Sequence, residues 1–311
     1  MQAYFNVAKL ARIRMPQIRL AGPIACNEWQ WYNWANDRIR GTDGRYYCWL
    51  EYFIKRIAEE QRACRTRLLD VLDVHFYPGE TAPGDIVQLH RVWFDQTYTY
   101  PGANGVKRLG TTGWDGSITK EYIFARCRSW LNTYLGPDHG VGLGVSEMGI
   151  QGDNPNVTAV WYASTLGVFA DEGVELFTPW TWKTGMWEVL HLFSRYTQAV
   201  RVQASSDNEA LVSGYASVSQ DSNDVTVILV NRSLSQITPV RLCLANISLT
   251  QTQYTTLTLS SLPSTETFRT HTDNAIKKGA AVVATDGTIS LTMSPLSITA
   301  ILISSELESQ E

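Results

Sequence analysis

With 311 residues, 44% hydrophobic and 18% charged, the chain has apolar material for about two domains of roughly 100–200 residues each, and its composition excludes a disordered protein. The formal net charge of −4, the lack of any dense Lys/Arg run and the lack of an apolar stretch of ~20 residues point away from nucleic-acid and membrane partners. Arg12, Arg14 and Arg19 form the nearest thing to a basic cluster and read as a solvated face. Five cysteines, an odd number with no pair at CxxC spacing, indicate neither a disulfide framework nor a zinc site, so no metal or cofactor is expected.

Along the chain, Gln2 to Arg14 carries Phe5, Ala8, Leu10 and Ile13 at helical spacing and ends at Pro16. Ile18–Ala25 reads as a buried strand, Tyr46–Cys64 as an amphipathic helix and Leu69–Tyr77 as a second strand. Ile118–Leu135 follows as a helix, Val141–Glu147 as a strand, Val157–Glu172 as a helix, Val174–Trp182 as a strand and Trp187–Tyr196 as a last helix. Ile86–Phe94 is a weaker strand candidate. Strands alternating with helices over residues 1–199 imply βα units around a parallel sheet.

Beyond about residue 200 the helical period disappears. Leu211–Ser219, Val225–Asn231, Val240–Ala245, Tyr254–Leu259, Ala280–Thr285, Thr288–Met293 and Ser297–Ser304 are short, rich in Val, Ile, Thr and Leu, and separated by turn residues such as those at 221–224 and 286–287. Residues 200–311 are therefore expected to form an antiparallel β-sandwich.

Chemistry concentrates at strand ends. Period-2 geometry in Leu69–Tyr77 puts Asp73, His75 and Tyr77 on one face and Leu72, Val74 and Phe76 on the other. A polar face on an interior strand is costly unless it lines something polar. A satisfied core His–Asp pair and a metal site built on Asp73 and His75 are the alternatives. Glu147 ends the third strand between small residues, Gly144, Ser146 and Gly149, where a carboxylate is well placed as a nucleophile. The fourth strand ends in Trp180 and Trp182, expected as aromatic platforms at the same end. The chain holds 11 Trp and 14 Tyr, and Trp29, Trp31, Trp34, Trp93, Trp114, Trp180 and Trp182 fall outside periodic segments. Either they fill a large core or they stack on sugar rings, and as a group they suggest a sugar-binding cleft.

The run Leu69-Asp70-Val71-Leu72-Asp73-Val74-His75-Phe76-Tyr77-Pro78 resembles the sixth-strand motif of glycoside hydrolase family 44. Ile18–Ala25, with Gly22-Pro23, is similar to that family's fifth strand, and Arg91–Tyr98 to its loop after strand six. The resemblance implies strands 5–8 of a (β/α)8 TIM barrel, in residues 1–199, followed by the sandwich domain in 200–311. It also implies a retaining endo-acting hydrolase of β-1,4-glucan (cellulose-like, with xyloglucan or xylan as further substrates), secreted from the cell. Glu147 would be the nucleophile, Tyr77 would orient it, and Trp182 would lie under the substrate, with His75, Trp180, Glu28 and Trp29 lining the cleft.

Counting strands backward from Glu147 on strand seven starts the chain in the helix before strand five. The acid/base Glu of the family then lies upstream of Met1. Asn27-Glu28 imitates its motif, but Trp29 follows where the family has Pro, and the strand count does not place Glu28 on strand four. Half a barrel would leave two open edges, to be completed by a missing N-terminal segment or a second copy. The chain alone is then expected to be inactive. The competing reading is a non-catalytic carbohydrate-binding protein that retains the cleft aromatics.

Overall fold

A computed structural model describes residues 1–35, 37–106, 120–247, 249–283 and 287–304. Trp114, Ser248 and Asp286, and residues 118–119 and 284–285 of two expected elements, lie outside the described residues. In chain order the elements are helix α1 (Gln2–Arg14), strand β1 (Ala21–Ala25), helix α2 (Glu28–Tyr32), strands β2 (Ile39–Arg40) and β3 (Tyr46–Tyr47), helix α3 (Trp49–Cys64), strand β4 (Val71–Phe76), helices α4 (Pro83–Ile86) and α5 (Ile123–Leu135), strand β5 (Gly142–Met148), helix α6 (Pro155–Asp171), strand β6 (Val174–Phe177) and helix α7 (Met186–Tyr196). Eight strands follow: β7 (Val200–Val202), β8 (Val212–Val218), β9 (Asp224–Asn231), β10 (Thr238–Leu242), β11 (Gln253–Leu259), β12 (Lys277–Val283), β13 (Ile289–Met293) and β14 (Ser297–Ser304).

These elements form two compact units. The first comprises Met1–Glu80, Arg91–Gln151 and Glu172–Thr181; the second comprises Thr81–His90, Gly152–Asp171 and Trp182–Glu311.

The first unit is built on a parallel sheet in the order β1-β4-β5-β6. β4 is buried at every position, as a strand covered on both faces must be. Pro23 lacks the N–H a central strand would need, and β1 stands at the sheet's edge, where that is tolerated. Helix α1 matches its expected span but buries only Phe5 and Ala8, leaving Val7, Leu10 and Ile13 exposed. Helix α3 begins at Trp49 rather than Tyr46, because Tyr46 and Tyr47 are drawn into a short antiparallel hairpin with Ile39 and Arg40. The segment Ile86–Phe94 is no strand: it holds the end of α4 and a 3-10 turn over Leu89–Val92. Of the basic cluster, Arg12 is largely buried against Asp70 at 2.5 Å, whereas Arg19 pairs with Glu175 on a solvated face, its side chain 62% exposed.

The second unit carries eight strands in the hydrogen-bonded order β10-β13-β12-β11-β14-β9-β8-β7, antiparallel throughout. One face supplies Val225, Val227, Leu229, Tyr254, Ile289, Met293, Ile301 and Ile303 to a single core, with Val212 of β8 and Val240 of β10 packed against it. Strands so far apart in the order can share a core only if the sheet folds over itself, as in a sandwich. On the opposite face Ile228 pairs with Ala300 and Val230 with Ile298, and the buried helix α6 packs against β8, β9 and β14. Helix α6 is apolar nearly all round, which is why its sequence shows little amphipathic pattern.

Candidate active site

Adjacent residues of a regular strand point to opposite faces, so a plain reading of β5 sends Ser146 and Glu147 to opposite sides. The pairing with β4 breaks that rule. Asp73 lies opposite Gly144 but His75 opposite Glu147, so β5 carries one extra residue between these positions. Such a bulge re-aims side chains, and here it turns both Ser146 and Glu147 toward the polar row of β4. Gly144 permits the approach: a Cβ there would meet the Val71 Cγ1 at 2.7 Å.

The result is a continuous chain of contacts within the first unit. Ser146 donates through its backbone N–H to Asp73 Oδ1 (2.8 Å) and through its hydroxyl to Asp73 Oδ2 (2.5 Å). The same hydroxyl oxygen lies 3.0 Å from His75 Nε2, and His75 Nδ1 lies 3.3 Å from Glu147 Oε2. The Tyr77 hydroxyl donates to that same Oε2 at 2.8 Å. Asp73 and His75 are buried, whereas the Glu147 side chain is 34% exposed, so of the two carboxylates in this row it is Glu147 that is open to a ligand. Burial, and secondarily the bond to Glu147, push the Tyr77 phenol well above its ordinary range, so it stays a donor at neutral pH. Among the described residues no group of three His, Cys, Asp or Glu side chains is placed to hold a metal ion, and Asp73 is directed to Ser146 instead.

The aromatic residues divide. Trp31 and Trp93 are fully buried and pack with Phe76, and the Trp31 indole N–H donates to the His75 carbonyl at 3.0 Å: they are core. Trp180 is held at the end of β5 by its N–H bond to the Met148 carbonyl (3.0 Å), with its side chain 65% exposed. Trp34 is exposed beside Trp49, and Trp29 is half-buried on α2. Trp182 lies in the second unit, where its ring stacks on Trp187 at 4.0 Å and meets Tyr162 edge-on.

Glu28 takes a different place from the cleft lining expected of it. Asn27 caps α2, and the Glu28 carboxylate is buried, accepting backbone N–H bonds from Asn104, Gly105 and Val106 at 2.7–3.2 Å. Beside it stands Glu121, whose Oε2 accepts from the Tyr32 hydroxyl at 2.6 Å. Burial and the neighbouring Glu28 hold Glu121 well above the ordinary carboxyl range. Neither Glu121 nor Ser146 stood out in the sequence: one precedes a helix without a motif, the other reads only as a small neighbour of Glu147.

Residues 1–80, from α1 through the β4 strand with its Asp73, His75 and Tyr77, match the family model of glycoside hydrolase family 44. The chain is 24% identical over 210 residues to endoglucanase A of Paenibacillus lautus, across 61% of the chain and 29% of that protein. Its fold is that of a family 44 xyloglucanase from Paenibacillus polymyxa (TM-score 0.79, 17% identity) and a family 44 endoglucanase from Clostridium thermocellum (TM-score 0.78, 21% identity). The matches cover 97% and 96% of the chain, and in both cases the chain spans 60% of the solved structure.

Proposed function

We propose that the chain is a member of glycoside hydrolase family 44 and carries the nucleophile side of a retaining, endo-acting glycoside hydrolase for β-1,4-glucan, with xyloglucan or xylan as further substrates. The observation that carries the reading is the setting of Glu147. It is a half-exposed carboxylate at the C-terminal end of a parallel strand, oriented from two sides by His75 and Tyr77. A retaining glycosidase needs such a carboxylate to attack the anomeric carbon, and a second carboxyl about 5–5.5 Å away to protonate the leaving oxygen. Trp180 beside it offers a flat apolar face of the kind pyranose rings stack on.

The sheet supports a half-barrel reading. β1 and β6 are its two edges. Arg19, just before β1, nevertheless pairs with Glu175 of β6. Outer strands of a flat four-stranded sheet would stand roughly 14 Å apart at ~4.8 Å per strand, near the full reach of this pair, so the contact favours a sheet that curls toward closure. In this reading a further polypeptide pairs with both edges and supplies the acid/base carboxyl.

A substrate that needs no acid tests the nucleophile in the chain itself. A 2-deoxy-2-fluoro-β-cellobioside with a 2,4-dinitrophenolate leaving group departs without protonation and accumulates as a glycosyl ester. The expected result is one fluorocellobiosyl adduct on the peptide containing Glu147, absent from Glu147→Gln, with no hydrolysis of β-glucan by residues 1–311 alone. A folded chain labelled elsewhere, or not at all, would favour the non-catalytic carbohydrate-binding reading.

A further inference from the structure

We infer that His75 is a positioning residue held as an imidazolium, its second proton facing Glu147 because Asp73, acting through Ser146, fixes the first proton on Nε2. The inference rests on the proposed role of Glu147 for its purpose, but its geometry stands independently. The Ser146 hydroxyl has one hydrogen and two close neighbours, Asp73 Oδ2 at 2.5 Å and His75 Nε2 at 3.0 Å. An ionised carboxylate can only accept, so the hydroxyl hydrogen points to Asp73; a contact of 2.5 Å is the length of a charge-assisted O–H···O⁻ bond. The serine oxygen then has only lone pairs to offer His75, and Nε2 must bear a hydrogen.

That leaves Nδ1, 3.3 Å from Glu147 Oε2. Two lone pairs facing each other at this distance would repel, so a proton belongs between them. An ordinary imidazole holds a proton more tightly than an ordinary carboxyl group. Oε2 also already accepts the Tyr77 hydroxyl, which favours its ionised form. The titratable groups around the ring are Asp73 (through Ser146), Glu147 and Tyr77.

The consequence for the reaction is specific. In the resting protein the imidazolium donates from Nδ1 toward Oε2 of Glu147 and aims it. When Glu147 bonds the anomeric carbon, the bond to the leaving oxygen breaks and the leaving group departs with its electron pair; the carboxylate charge that held the Nδ1 proton is consumed, and that proton passes to solvent. His75 is therefore charged before attack and becomes neutral, with hydrogen on Nε2, in the covalent intermediate. One competing arrangement has the same number of protons: a neutral Asp73 donates to Ser146, Ser146 to Nε2, and a neutral His75 donates from Nδ1 to Glu147.

Ring-nitrogen shifts distinguish the two in the full chain, which has only five histidines. In protein labelled with 15N-histidine, the His75 signals are assigned by elimination, from single Gln variants of His90, His139, His191 and His271. At pH 7 the expected result is two protonated ring nitrogens on His75. Glu147→Gln should remove one of them, leaving Nε2–H, and Ser146→Ala should leave a neutral ring with hydrogen on Nδ1. A neutral His75 in the unaltered chain, with its proton on either nitrogen, overturns the inference. If the imidazolium is found but the fluoroglycoside never labels Glu147, it is the glycosidase reading alone that fails.

Discussion

The phenol of Tyr77 reaches Glu147 from the strand beside it, one residue past the last paired position of β4. Removing a hydrogen bond to a charged group costs about 1.5–3 kcal/mol, or roughly 10–100-fold in a rate that depends on it. Tyr77→Phe should therefore slow fluoroglycoside labelling of Glu147 by that factor while leaving thermal unfolding little changed, because the ring itself is retained. The row Asp73, His75, Tyr77 was legible in the sequence, since period 2 is all it requires. Ser146 was not, because a bulge inverts the face on which a strand residue lies, and nothing in Gly144-Val145-Ser146-Glu147 marks the extra residue. Glu28 shows the opposite failure. Its Asn-Glu signature imitates a catalytic motif, yet its carboxylate is bound by backbone N–H groups and Glu121. Glu121 binds its proton more tightly folded than unfolded, so its stabilising contribution is full below the ordinary Glu value of 4.5 and is lost as pH rises through the raised one. Glu121→Gln keeps a donor for Glu28 and an acceptor for Tyr32 without titrating. Urea melts of the two proteins should nearly coincide at pH 4.5, and the variant should become the more stable as pH rises. Parallel curves across that range would mean that burial does not hold the proton on Glu121.

At the scale of elements, β5 is held to its neighbours by what it lacks. A Cβ on Gly144 would press on the Val71 side chain at 2.7 Å and on Leu176 at 3.4 Å, the strands on either side. Overpacking of this kind costs typically 1–3 kcal/mol. Gly144→Val should lower the urea midpoint accordingly, and should disturb Asp73 as well, whose Oδ1 lies 3.5 Å from the same point. A variant with unchanged stability would show that β5 can move away from β4 without loss. Long elements were readable because periodicity averages over many residues: α1, α7 and β14 fall within a residue of where the sequence sets them. Short ones were not. The hairpin of β2 and β3 has two residues in each strand, α2 has five, and β7 is a three-residue strand whose only signal is Val-Arg-Val. At that length neither a helical nor an alternating period can be told from chance, and tertiary pairing decides.

For the molecule as a whole, β1 and β6 are the outer strands of the first unit's sheet among the described residues, and α1 carries an apolar stripe. Val7, Leu10 and Ile13 follow one another at a spacing of three and are 67%, 55% and 76% exposed. Open strand edges and exposed apolar stripes both promote association, and a second copy of the chain is the partner always present in a purified sample. The helix has no need of these three side chains for its own packing, which rests on Phe5, Ala8 and the contact of Tyr4 with Phe53 at 5.2 Å. Lys replacements at Leu10 and Ile13 are thus expected to preserve helix content, since Lys is a good helix former, while removing apolar area from the stripe. Sedimentation velocity over a hundredfold range of concentration should show the unaltered chain associating at tens of micromolar, and the double variant associating less. An unaltered chain that stays monomeric throughout would count against open edges, and with them against the reading in which another polypeptide completes this sheet.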